Sequence, residues 1–247
     1  MRIDGNFQAK YGELEARMRE RADADGDVYV PNPEPEGQVD YVLICMEPSL
    51  GRWARSLDEA RSKVKAGFRN FLSSDETCIF HYCIRSYLCK SPQRYHITDL
   101  SKGAMLVKLA GIERDRRYDR WYPLLEEEVK LVAAPNAVIV AVGSTVYQYL
   151  KQKRFPRSIT QVIHYSALAG NARKAGIVGR EADFQAFKDS VSDKDLYATA
   201  EDVLTSARVP AEIREDTLSR LKSFAVTTSR QQLIFNYMEA FKKLMQS

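Results

Sequence analysis

The sequence predicts an α/β fold: a three-layer α/β/α sandwich on a mostly parallel four-stranded sheet, with extra helices at both ends. Three observations lead there. Short apolar runs recur that are continuous rather than alternating, as in strands covered on both faces. Helical patterns separate them, which is the rhythm of a parallel sheet. From about residue 181 onward the pattern is helical throughout, broken near Pro210.

Taken in order, Phe7, Tyr11, Leu14 and Met18 recur at helical spacing, so residues 5–22 form an amphipathic helix. "PNPEPEG" (Pro31–Gly37) is a turn-rich connector. "YVLICM" (Tyr41–Met46) is a buried strand, ended by "EPSLG", and residues 55–72 follow as a helix. "CIFHYCIRSYL" (Cys78–Leu88) reads as a further strand, and "YHIT" (Tyr95–Thr98) as a strand end. "WYPLLEEEVKLVAA" (Trp121–Ala134) is a helix. "AVIVAVG" (Ala137–Gly143) is the clearest buried strand; "STVYQYLKQK" after it is a helix with Ser144 as N-cap, and "ITQVIH" (Ile159–His164) is another strand. One domain of 1–247 results, with a core of about 38–180, the helix 5–22 before it and a helical extension over 181–247. No internal repeat or low-complexity tract interrupts it.

Composition bounds the class. The chain has 247 residues, 45% hydrophobic and 28% charged, an ordinary soluble profile. No apolar run reaches the roughly 18 residues of a membrane helix, and the first residues hold no signal-peptide core. A cytoplasmic protein is expected, with four reduced cysteines. Cys78, Cys83 and Cys89 form C-x4-C-x5-C, which is no familiar zinc or disulfide spacing, so no metal and no cofactor are expected. The net charge is only +4, but basic residues cluster. "GRWARSLDEARSKVKAGFRN" carries Arg52, Arg55, Arg61, Lys63, Lys65 and Arg69; "KQKRFPR" adds Lys151, Lys153, Arg154 and Arg157. Any one run reads as a solvated helix face; several beside candidate site loops suit a polyanion partner.

Three loops follow strand ends: "MEPSLG", "TDLSKG" and "HYSALAG". In open α/β sheets ligands gather beyond the carboxyl ends of the strands, so these loops share one site with Glu47 and His164 across it. Neither residue is diagnostic alone; their joint placement is what points to function. Leu168, a large apolar residue in a small, polar, basic loop, needs a reason to be there.

In order and placement, these segments resemble the motifs of the uracil-DNA glycosylase superfamily, over about residues 40–175. "CMEPS" (Cys45–Ser49) is similar to its first motif, Gly-x-(Asp/Asn/Ala)-Pro-(Gly/Tyr). "YHITDLSK" (Tyr95–Lys102) resembles its "ITN-x-x-K" segment, "VIVAVGSTVYQYL" (Val138–Leu150) its strand–Gly–helix unit, and "HYSALAG" (His164–Gly170) its closing "HPSPLS". The departures mark an outlying class: Cys45 stands for the usual glycine, Glu47 for the aspartate of the most active members, Asp99 for a uracil-reading asparagine, and Tyr165 and Ala167 for two prolines.

The resemblance implies a monomeric enzyme of base excision repair that flips a base out of DNA and hydrolyses its N-glycosidic bond. A carboxylate beneath the sugar, Glu47, stabilises the cation and orients water. His164 donates to the leaving base, as in an oxyanion hole. Met46, Pro48, Phe68 and Asp99 then surround the base. Phe68 rather than Phe71 is the expected stacking ring. Asp99 accepts from ring N–H groups and donates to a carbonyl only when protonated, which admits hypoxanthine and xanthine as well as uracil. Leu168 is the wedge that fills the vacated stack. Ser49, Ser144 and Ser166 let phosphates approach the backbone, and Arg173 and Lys174 hold phosphates beyond. Two other readings stay open: a nucleic-acid-binding protein on the same fold without catalysis, and a hydrolase of free nucleosides or nucleotides.

Overall fold

The computed structural model describes residues 5–51, 53–72, 74–166, 169–222 and 226–246, without the side chains of 107–112. Arg52 of the first basic run, Ala167 and the expected wedge Leu168 lie outside the described residues.

The central sheet has four parallel strands in the order β4-β2-β6-β7: β2 (Val39–Cys45), β4 (Tyr95–Asp99), β6 (Ala133–Val142) and β7 (Ile159–Val162). Tyr41 sits opposite Tyr95 on one side and Val138 on the other, and Val142 pairs with Val162. After β2 the chain first builds the strand on one flank and then crosses to the other. The carboxyl ends of β2 and β6 therefore flank the point where such sheets leave a crevice.

Alternation along β2 explains the two helical layers. Tyr41, Leu43 and Cys45 enter one core, with Val140 and Val142 of β6. Val42 and Ile44 enter the other, with Ile139 and Ala141. The first core is covered by α3 (Asp75–Cys83), α7 (Glu181–Lys188), α8 (Asp193–Ser206), α9 (Ala211–Lys222) and α10 (Thr228–Gln246). The second is covered by α1 (Gly5–Ala24), α4 (Val107–Val132) and α5 (Ser144–Gln152). The three-layer sandwich is as the sequence predicts. The C-terminal helices are one of its layers rather than an appendage, since Phe235, Tyr237 and Phe241 of α10 are buried.

A second, small sheet lies outside the sequence expectation. β1 (Val28–Tyr29) pairs antiparallel with β5 (Gly103–Leu106), which pairs in parallel with β3 (Ser49–Leu50). Two- to four-residue strands carry too little pattern to be read from sequence.

Four assignments change. Cys78–Leu88 is not a strand but the end of α3 and a π-helical turn, Ile84–Leu88. Every residue from Thr77 to Cys83 is buried, so aromatic and branched residues show no helical period. The expected helix 55–72 is α2 (Leu57–Lys65), stopped at Gly67 with φ 100°, a left-handed position that glycine occupies freely. The expected helix at Trp121 begins at Val107, with Pro123 inside it, although proline more often marks a first turn. Ser144 is the first residue of α5 and makes no cap hydrogen bond; Gly143 is the N-cap. The short helix α6 (Gly170–Ala175) is an addition to the expected elements. No helix among the described residues is long and apolar enough to cross a membrane.

Candidate active site

The loops after β2 and β4 are tied together before either turns away. Leu100 N–H donates to Cys45 O at 2.9 Å and Ser101 N–H to Met46 O at 3.3 Å. Met46 is half-buried, Pro48 is buried, and exposed Ser49 starts β3. The third loop joins through β6. Gly143 has φ 98°, and a Cβ there would come within 3.3 Å of two His164 side-chain atoms, so glycine is what lets the imidazole settle against the strand end. Tyr165 closes the set: its hydroxyl is pushed well above its ordinary value by burial first, then by Cys45, Asp99, Tyr237 and Glu47 around it. Tyr165 thus sets the loop that carries His164 within electrostatic range of Asp99 and Glu47.

Glu47 is held from α4. Arg114 Nη2 donates to Oε1 at 3.0 Å and the Tyr118 hydroxyl donates to Oε2. The carboxylate is 5% exposed. Each oxygen retains a second lone pair for a water or a substrate.

His164 has a defined tautomer. Ser166 N–H donates to Nδ1 at 3.0 Å, so Nδ1 is an acceptor and the proton of the neutral ring is on Nε2. Burial, with the positive charge of Arg173 adding to it, pulls the imidazole down to about 4. At neutral pH it is an uncharged N–H donor, and Nε2 has no partner among the described residues.

Asp99, the last residue of β4, is buried, 2% exposed. Asn70 Nδ2 donates to Oδ2 at 2.8 Å; with the Asn32 amide turned to satisfy both its neighbours, its nitrogen donates to the same oxygen at 3.2 Å and its oxygen accepts from Lys102 Nζ at 2.9 Å. Burial raises the Asp99 carboxyl to about 7; Glu47 and Glu128 push the same way, and Lys102 and the Asn70 bond oppose them. Behind it, Lys102 is committed to the fully buried Glu128 at 2.9 Å, which also accepts from His96 at 3.0 Å and Thr98 at 2.7 Å. Burial alone would raise Glu128, but Lys102 and His96 outweigh it and hold the carboxyl at about 2.

Phe68 is not part of this cluster. Its ring stacks on Trp53 at 4.4 Å in the core of the small sheet, beside a separate cavity of about 410 Å³. Phe71 lies beside Asn70 and Tyr165 but is a core residue, 1% exposed. It follows Asn70, meets the Tyr165 ring edge-on at 6.4 Å, and has φ 62°, strained for a bulky side chain. Two bonds fix it there: its N–H to Asn70 Oδ1 at 3.0 Å, and His81 Nε2 to its carbonyl at 3.0 Å.

Arg173 does not face solvent as a phosphate ligand would. It is 4% exposed, and its guanidinium donates to the Tyr165 carbonyl, to Ser166 O at 2.7 Å and to Ser229 Oγ at 3.2 Å. It clamps the loop that carries His164. Helix α10 braces the same loop, with Tyr237 OH donating to Ile163 O at 2.7 Å and Asn236 Nδ2 to Arg173 O at 3.1 Å. Lys174 is exposed, as is Ser144, and Ser166 is half-buried. Several residues of the basic runs are occupied within the fold: Arg61 with Asp58, Lys63 with Glu59, Lys153 with Asp119, and Arg157 with the carbonyls of Ala134, Pro135 and Ala137. Lys65, Arg154 and Lys174 form no ion pair among the described residues.

No family model, no curated protein and no solved structure matches this chain. Asn70, Arg114 and Tyr118 join the site without a signal in the sequence reading. Asn70 sits inside "AGFRNF", where the two phenylalanines dominate the pattern; Arg114 and Tyr118 lie on a stretch of α4 that precedes the expected start of that helix.

Proposed function

We propose that the chain is a DNA glycosylase, a divergent member of the uracil-DNA glycosylase superfamily. It hydrolyses the N-glycosidic bond of a flipped uracil, or of a deaminated purine such as hypoxanthine or xanthine, and leaves an abasic site. The observation that carries the reading is His164: a neutral imidazole with Nδ1 occupied and Nε2–H without a partner among the described residues, just beyond a strand of the sheet whose other strand ends carry two carboxyl groups, Glu47 and Asp99. Breaking the glycosidic bond sends its electron pair into the base. An uncharged donor at the base carbonyl stabilises that developing anion without giving up its own proton. Glu47 balances the positive charge on the sugar and orients the water whose oxygen bonds to C1′; the proton the water gives up passes to the Glu47 carboxylate and then to the departed base anion. Leu168 keeps the wedge role. Lys174 is the remaining basic contact beyond the loop.

Oligonucleotides carrying single modified bases, scored for abasic sites, test this. Uracil-containing DNA should be processed, and Glu47→Gln should slow base release by roughly two to four orders of magnitude with the fold intact. Leu168→Ala should lose activity on duplex DNA far more than on single strands, where unstacking costs little. A free-nucleoside hydrolase is the second reading, favoured by how many basic side chains are spent inside the fold. Base release from nucleosides, with none from any oligonucleotide, would replace the first reading with it.

A further inference from the structure

Glu47 and Asp99 lie at these strand ends with a third carboxyl group, Glu128, behind them, and the cations are unevenly shared. Glu128 has Lys102, and Glu47 has Arg114. Asp99 has no ion-pair partner among the described residues; its near neighbours are the neutral amides of Asn70 and Asn32, and both donate to Oδ2. Oδ1 has no hydrogen-bond partner among the described residues and is not one of the sealed, unsatisfied atoms of the interior. One oxygen is therefore fixed as an acceptor, and the other is neither hydrogen-bonded among the described residues nor sealed from solvent. The groups that act on it are Cys45 and Glu47 from β2 and its loop, Lys102 after β4, Tyr118 and Glu128 from α4, and Tyr165 after β7. Glu47 and Glu128 both favour the neutral acid, and Lys102 alone among the charged neighbours opposes them.

Resting on the glycosylase reading above, we propose that Asp99 is a proton-switched reader of the base edge. As a neutral acid it donates from Oδ1–H to a base carbonyl; as a carboxylate it accepts from a ring N–H at the same oxygen. Because Oδ2 is already taken, the two forms cannot be combined into one bidentate contact. A lactam edge, C=O beside N–H, offers a partner to either form, so uracil and hypoxanthine are both readable but in different registers. Base preference then depends on pH through the enzyme, since neither lactam loses its own ring proton near neutrality. The raised carboxyl value agrees with this allotment of charges.

The test has a direct arm and a catalytic arm. The side-chain carboxyl carbon of Asp99, followed by NMR in the free protein, should titrate near neutrality, and Asn70→Ala should move that midpoint upward by removing a donor to the charged form. In the catalytic arm, the ratio of kcat/KM for uracil to that for hypoxanthine is measured from pH 5.5 to pH 8.5. For a group titrating at about 7, the ratio of neutral to ionised Asp99 falls about a thousandfold over that range, which is the upper limit on the change in the kcat/KM ratio. Asp99→Asn, which is nearly isosteric, should make the ratio flat. A carboxyl midpoint below pH 5, or a flat ratio in an active wild-type enzyme, overturns the proton switch alone. No base release from any substrate at any pH overturns the glycosylase reading, and the switch with it.

Discussion

At the scale of single residues, the site is governed by which groups carry a proton in the fold and which carry one in the unfolded chain. His164 and His81 are both drawn down to about 4 by burial. Unfolded histidines titrate near 6.5, so between about 4 and 6.5 the unfolded chain binds more protons than the fold. The stability tied to these rings is complete above about 6.5 and drains away as pH falls toward 4. Asp99 works in the opposite sense. Its carboxyl is raised from 3.8 to about 7, so the fold holds the extra proton; its contribution is complete below about 3.8 and is lost as pH rises through 7. Asp99→Asn removes that alkaline cost. Its melting temperature, relative to wild type, should rise more at pH 9 than at pH 5, and equal differences at both values would show that Asp99 does not titrate between them. Glu128→Gln should be severe instead. It leaves Lys102, 1% exposed, without its carboxylate, and breaking a buried pair from one side costs about 3–5 kcal/mol. Urea melts would read this as a lower midpoint with little change in slope.

At the scale of elements, the loop after β7 distinguishes two neighbouring cations that look alike in sequence. Arg173 is buried against the loop carbonyls, and Lys174 is exposed. Arg173→Ala strands the Tyr165 and Ser166 carbonyls, each roughly a 1–3 kcal/mol penalty if it stays dry, so melting temperature should fall clearly. Lys174→Ala should leave it unchanged. If the loop touches DNA, that variant should lower the slope of log affinity against log salt by about 0.9, the share of a single phosphate. The reverse pattern would exchange their roles. The same contrast marks the reach of sequence reasoning. The sheet was legible because Tyr41–Met46 and Ala137–Gly143 are apolar without interruption, which marks strands covered on both faces. The candidate residues were legible because Glu47, Asp99 and His164 lie at or just beyond the ends of such strands. The burial of Arg173 was not, because its partners in α10 are far along the chain: Ser229 is separated from it by 56 positions. Helix α3 resembles a strand in sequence because burial on every side erases its period. Its capping box, Ser74 with Thr77, is the signal that identifies it.

At the scale of the whole molecule, the helical layer that includes α10 does more than cover the sheet. Tyr237 and Asn236 reach from α10 to Ile163 and Arg173, so the geometry that presents His164 depends on a helix that begins at Thr228. A site braced in this way does not open residue by residue. Amide exchange in the His164 loop should follow the free energy of releasing α10, because the loop is freed from its clamp only when that helix departs. Tyr237→Phe removes the bond to Ile163 O and should cost about 0.5–1.5 kcal/mol. Exchange should speed up together in α10 and in residues 163–166, while amides of α1 and α4 on the opposite face keep their rates. A change confined to α10 would show the loop to be independent. The histidine is in this sense an output of the last helix: any ligand, modification or neighbouring chain that loosened α10 would disarm the crevice from the far end of the sequence without touching it.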